Sequence, residues 1–143
     1  MTNNLSNFGF LLSGVNKRYV SRFEQRAQEI ALTLPTCKVI AYLERNEGVS
    51  QSRLAELTGI DPMAMVRMLD LMEAEGLVER KPDPSDRRAR KLYLTPKVAP
   101  TLEKIWSIAA VTREETFTGV SESERDLFIS LLLRLDENLS RLD

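Results

Sequence analysis

The 143-residue sequence contains no histidine and a single cysteine, Cys37. The first absence removes the commonest general base and the commonest metal ligand. The second leaves no internal disulfide and no cysteine-based zinc site. A glycine-rich phosphate loop and a clustered carboxylate pair are missing too, so no catalytic group, metal or cofactor is indicated and an enzyme is not expected. No apolar run approaches the ~18 residues that a membrane-spanning helix needs. The start, MTNNLSNFGF, has neither the basic opening nor the apolar run of a secretory signal, so a cytoplasmic protein with no membrane partner is expected. Internal repeats and low-complexity segments are also lacking.

What is present fits one domain over residues 1–143 with a sizeable core. The net charge is only −1, but it is unevenly spread. Residues 77–91 hold six basic side chains (Arg80, Lys81, Arg87, Arg88, Arg90, Lys91) against three acids, a balance of +3. Residues 114–143 hold eight acids against three arginines, a balance of −5. Such a division suits one face turned to phosphates and another turned to a protein partner or to solvent; taken alone, the basic run is equally a solvated loop.

Periodicity and punctuation predict the elements. Phe8, Leu11, Leu12, Val15, Tyr19, Phe23, Ala27 and Ile30 recur at helical spacing and predict one amphipathic helix over 5–31. Leu34-Pro35 breaks it, and a second helix follows at 36–45, stopped by Asn46-Glu47-Gly48. Ser50 is an N-cap for a short helix at 51–58 that Gly59 ends. Asp61-Pro62, a capping acid before a first-turn proline, restarts the chain in a helix running to about 75, which Gly76 closes. Two helices joined by a few residues around a glycine match the helix-turn-helix pattern. Residues 77–80 and 91–94 read as short strands around a polar, proline-rich turn at 82–88, a hairpin with a charged tip. Thr95-Pro96 opens a fifth helix to about 117. Ser121-Glu122-Ser123-Glu124 is a capping box opening a last helix striped with Leu127, Phe128, Leu131, Leu132, Leu135, Leu139 and Leu142.

The predicted fold is mainly α (α+β): a winged helix-turn-helix core at 34–95, flanked by long helical segments at 5–31 and 96–143. The core is nearly self-sufficient, so the outer apolar stripes need a further cover. The same helices of a second copy are the economical one, which predicts a homodimer.

A helix entering the DNA major groove works with its N-terminal residues. Here these are Asp61, Pro62, Met63 and Ala64, with Arg67 one turn on. Arg67 can form paired hydrogen bonds to guanine; its alternative is a surface pair with Asp70. Met63 and Ala64 offer apolar contacts, for example to thymine methyls. Ser50, Gln51 and Ser52 can hold a phosphate through hydroxyls and free main-chain N–H groups, or simply cap their helix. Arginine on a thin hairpin can enter a minor groove, and Asp86 can either orient the Arg88 guanidinium or stabilise the turn. Double-stranded DNA is the partner these residues indicate. A winged-helix module used only for protein–protein assembly is the alternative; its hairpin would more often end in apolar residues.

The stretch GVSQSRLAELTGIDPMAMVRMLDLMEAEGLVERKPDPSDRRARKLYLTPK, residues 48–97, resembles the MarR family of bacterial transcription regulators, and its fragment SDRRA resembles the SlyA-like branch. The carrying features are the recognition-helix segment MVRMLDLMEAEGLVER and the wing signature, Asp-x-Arg before a strand ending in Leu-Thr. The resemblance implies an intertwined homodimer on short palindromic sites, acting as repressor or as an activator that displaces silencing proteins. It implies DNA-binding roles for Asp86 and Arg88, assisted by Arg87 and Arg90. It also implies a small phenolic or aromatic carboxylate effector in a crevice between DNA-binding and dimerisation regions, near Arg18, Arg22, Thr33, Thr36, Cys37 and Tyr42. Where SlyA-like relatives tend to carry a tryptophan and a histidine on the second helix, this chain has Cys37 and Ala41, losing a stacking surface and a polar partner. Cys37 itself reads as a buried, inert thiol.

Overall fold

The computed structural model describes residues 4–143, apart from the side chain of Arg87. The described chain runs through α1 (Phe8–Glu29), α2 (Leu34–Arg45), α3 (Gln51–Thr58), α4 (Pro62–Ala74), β1 (Val78–Asp83), β2 (Asp86–Leu94), α5 (Ala99–Thr116) and α6 (Glu122–Ser140). Short 3-10 turns precede α1 and α5.

Local capping sets most helix starts. Thr33 Oγ1 accepts the Thr36 N–H, and Pro35 fits the first turn of α2 because no intrahelical donor is needed there. The helix therefore begins at Leu34, two residues before the expected start. Ser50 Oγ accepts the Arg53 N–H at 3.1 Å, and Gly59, at φ 71°, takes the left-handed conformation that closes α3. Asp61 Oδ2 accepts from Met63 N (3.1 Å) and Ala64 N (3.2 Å) at the head of α4. The box at α6 closes both ways: Ser121 Oγ accepts from Glu124 N, and Glu124 Oε1 from Ser121 N. By contrast α1 has no side-chain cap, and the predicted first turn at residues 5–7 is 3-10 rather than α.

The two strands form one antiparallel hairpin with Val78 opposite Leu94, Arg80 opposite Leu92 and Pro82 opposite Arg90; the register shifts between Pro82 and Asp83. Both strands outrun the expectation, which assigned 82–88 to a turn. Main-chain pairing does not depend on apolar side chains, and β1 has one unpaired edge in this sheet, where a proline is tolerated. β2 also reaches back to the entry of α3: Gly48 N donates to Leu92 O at 2.8 Å and Leu92 N to Val49 O at 2.9 Å.

One core joins these elements. Ala27 of α1, Ile40 and Leu43 of α2, Leu54 of α3, Met65, Leu69 and Met72 of α4, Val78 of β1, Leu92 of β2 and Ile105 of α5 are all buried together. Each Val, Leu, Ile or Met among these contributes about 1.5–3 kcal/mol by leaving water. Val66, next to buried Met65 on α4, is exposed. α6 buries none of its residues, and Phe8, Leu11, Leu12 and Val15 on α1 are likewise exposed.

Candidate nucleic-acid interface

The start of α4 presents a mixed surface. The Asp61 carboxylate is engaged in capping, which fixes its position ahead of Pro62. Met63 is 70% exposed and Ala64 is half-buried. Arg67 is exposed and, among the described residues, has no hydrogen bond or ion pair. The surface pair weighed for it does not form, because Asp70 Oδ1 receives Arg80 Nη1 at 2.7 Å. Ser50, Gln51 and Ser52 stand at the head of α3, where Ser50 caps the helix and its hydroxyl lies 3.2 Å from that of Ser52.

The wing tip is built by two carboxylates acting on main chain. Asp83 Oδ1 accepts from Ser85 N (2.9 Å) and Ser85 Oγ (2.7 Å), and these bonds hold its carboxyl below the usual carboxylate range. Asp86 Oδ1 accepts the Arg88 main-chain N–H at 2.9 Å. Of the two roles open to Asp86, the turn-stabilising one is therefore observed. The side chains of Arg88 and Arg90 are exposed and carry no ion pair among the described residues. The side chain of Arg87 lies outside the described residues. Lys81 is partly engaged, 3.8 Å from Glu79 and 4.8 Å above the Tyr93 ring.

Arg80 leaves the basic cluster to which composition assigned it. Its side chain is only 15% exposed. Nη1 reaches Asp70 and also Glu73 Oε1 (3.4 Å), Nη2 donates to the Val66 carbonyl (3.2 Å), and the main-chain N–H donates to Glu73 Oε2 (3.2 Å). The wing base is thus fastened to the flank of α4. Strand alternation carried a signal for this: Arg80 is two residues from buried Val78 and opposite buried Leu92, so it shares their inward side. A charge there needs partners.

The six residues expected around an effector are not gathered in one cleft. Cys37 and Tyr42 line an almost wholly apolar cleft of about 280 Å³ between α1, α2 and α5, with Tyr19, Phe23, Ile105 and Trp106. Thr33 and Thr36 line a second cleft, of about 310 Å³, against Met68 and Met72 of α4. Thr33, the N-cap of α2, and Thr36 turn toward α4, whereas Cys37 and Ala41 turn toward α1 and α5. Arg18 and Arg22 line a third cleft beside Glu115. Arg22 Nε donates to Glu115 Oε1 at 2.7 Å, and Arg26 binds the same carboxylate and Thr112 Oγ1. These two guanidiniums hold the Glu115 carboxyl down at about 2. Cys37 is 2% exposed, and burial pushes its thiol up, away from the reactive thiolate. Trp106 of α5 lines the same cleft, and its Nε1 donates to Glu44 Oε2 at 2.9 Å.

Among the described residues no helix is long and apolar enough to cross a membrane. Residues 32–89 match the MarR family. The transcriptional regulator PA3341 is 33% identical, superimposing with a TM-score of 0.79 over 94% of this chain and 98% of its own. The transcriptional repressor CouR, solved bound to a 23-mer DNA duplex, is 30% identical, with a TM-score of 0.72 over 95% of this chain and 97% of its own. BpsR of Bordetella bronchiseptica, whose DNA binding is regulated by 6-hydroxynicotinic acid, is 26% identical, with a TM-score of 0.74 over 91% of this chain and 98% of its own.

Proposed function

The chain belongs to the MarR family of transcription regulators, which are not enzymes, and on that premise we propose that it binds a palindromic operator in double-stranded DNA as a cytoplasmic homodimer. In each copy α4 enters the major groove with Met63 and Arg67 toward base edges. Ser50, Gln51 and Ser52 hold a phosphate, and Arg88, flanked by Arg87 and Arg90, enters the adjacent minor groove. Asp61 and Asp86 shape the two contact segments from within. The observation that carries this reading is the state of the arginines. Arg67 on α4 and Arg88 and Arg90 on the wing carry no ion pair among the described residues. The same is true of Arg18, Arg45, Arg113 and Arg134, but only the first three stand together on α4 and the wing, which Arg80 fastens to each other through Asp70 and Glu73.

The winged core at 34–95 reads DNA, and the segments 5–31 and 96–143 join the two copies. The exposed apolar side chains of α6 and of the first turns of α1 support a second copy as their cover, since contiguous patches of this kind mark interaction surfaces. Operator occupancy blocks transcription, or displaces a silencing protein to permit it; the fragment SDRRA supports a place near the SlyA-like branch. A small phenolic or aromatic carboxylate effector fits the cleft between α1, α2 and α5, with its ring against Trp106 and Tyr42. The regulation of BpsR by 6-hydroxynicotinic acid supports that class.

Selecting bound duplexes from random double-stranded DNA tests the proposal. The expected result is enrichment of an inverted repeat with half-site centres ~34–36 Å apart. Recovery of unenriched sequence would overturn it.

A further inference from the structure

We propose that Arg80 is a positioning residue for base readout: by taking up Asp70, it keeps the Arg67 guanidinium free of its own helix. The inference rests on the reading of Arg67 as a DNA-contacting side chain. Arg67 and Asp70 stand three residues apart on α4, a spacing at which opposite charges meet on a helix surface. Left to themselves they would pair. Instead Asp70 Oδ1 lies 2.7 Å from Arg80 Nη1, and Arg67 has no partner among the described residues.

The competition favours Arg80 for geometric reasons. Its fork is already anchored on the Val66 carbonyl and on Glu73, so little additional ordering is needed to hold Asp70 as well. An exposed pair at this helical spacing would have to order two free side chains for a small gain. The position matters as much as the strength. Nη2 of Arg80 binds the carbonyl of Val66, the residue immediately before Arg67, so the same guanidinium anchors the turn from which Arg67 projects. Arg80 also reduces the charge of the Asp70–Glu73 pair from −2 to −1 on a helix that must approach phosphates. The cost is local: Arg80 Nε is the one buried side-chain nitrogen or oxygen among the described residues that has no hydrogen-bond partner.

A residue that merely fastened the wing would behave differently on mutation, and a double-mutant comparison separates the two roles. The measurement is equilibrium binding to the selected operator and to duplexes changed at each half-site base pair. Arg80→Met keeps an aliphatic stem but frees Asp70 to capture Arg67; operator affinity is expected to fall about tenfold, with discrimination lost chiefly at the base pair that Arg67→Ala also relaxes. Adding Asp70→Asn removes the captor. Arg80→Met/Asp70→Asn is expected to recover most of the affinity and the discrimination, although the clasp remains broken. If the double variant stays as weak as Arg80→Met, the positioning role is overturned and only fastening remains. If Arg67→Ala alone binds like the unchanged chain, the reading of Arg67 fails first, and Arg80 has nothing to position. Should Arg80→Met fail to fold, Arg80→Lys with and without Asp70→Asn makes the same comparison, because a point charge cannot hold Asp70, Glu73 and the Val66 carbonyl together.

Discussion

Asp86 Oδ1 accepts the main-chain N–H of Arg88 at 2.9 Å, and no ion pair joins the two side chains. The carboxylate shapes the tip of the wing and leaves the guanidinium uncommitted. Arg88→Ala is therefore expected to weaken operator binding by well over an order of magnitude and to reduce the salt slope by about two units, one for each copy, with no change in thermal unfolding. Asp86→Ala removes only the turn bond and is expected to lose less, and Asp86→Asn, which keeps an acceptor, less again. Mobility-shift titrations at several salt concentrations check the order. Asp86→Ala weaker than Arg88→Ala would contradict it.

At the other end of the molecule Glu115 joins α1 to α5 through Arg22 and Arg26, and its carboxyl is lowered from the ordinary 4.5 to about 2. A lowered carboxyl stabilises the fold fully above its unfolded value and loses that contribution as the pH falls toward its folded value. Stability contributed by this cluster is thus expected to disappear between about pH 4.5 and about pH 2. Denaturant titrations over that window check it: the unchanged chain should lose more stability than Glu115→Gln, and equal losses would contradict the assignment.

Leu131 and Leu135 are 43% and 40% exposed within one chain, so neither supports its own core. Changing both to glutamate is expected to leave the helical content of the chain intact while abolishing dimerisation in sedimentation experiments. Operator affinity should fall with it, because each half-site is then bound alone. A double variant that still sediments as a dimer would move the interface away from α6.

Ala31, just past the end of α1, sits at φ 57°, where an L-residue other than glycine is strained. Ala31→Gly is expected to stabilise the chain by about 1 kcal/mol despite glycine's greater freedom when unfolded. Thermal unfolding checks this; a lowered midpoint would contradict it.

Features set by neighbouring residues are legible in the amino-acid sequence itself. Ser50 and Gly59 bound α3, Asp61-Pro62 opens α4 and Ser121–Glu124 closes its capping box, because each device acts within four residues. Less legible is whatever depends on partners distant in sequence. The wing was expected to be short because Pro82 and its charged neighbours resemble a turn, yet ladder pairing carries β1 to Asp83 and starts β2 at Asp86. Arg80 counted as one more basic side chain, since Asp70 and Glu73 lie on another element. The effector residues were expected to form one group, but α2 turns Thr33 and Thr36 toward α4 and Cys37 toward α5. Trp106 enters that apolar cleft from α5, far along the chain from α1 and α2.

The most direct test of DNA reading by paired copies is a hydroxyl-radical footprint on a selected operator, comparing the unchanged chain with Arg88→Ala. The expected pattern is symmetric about the operator centre, with flanking minor-groove protection that Arg88→Ala removes while the central protection persists at saturating protein. An asymmetric footprint, or flanking protection that survives Arg88→Ala, would contradict it.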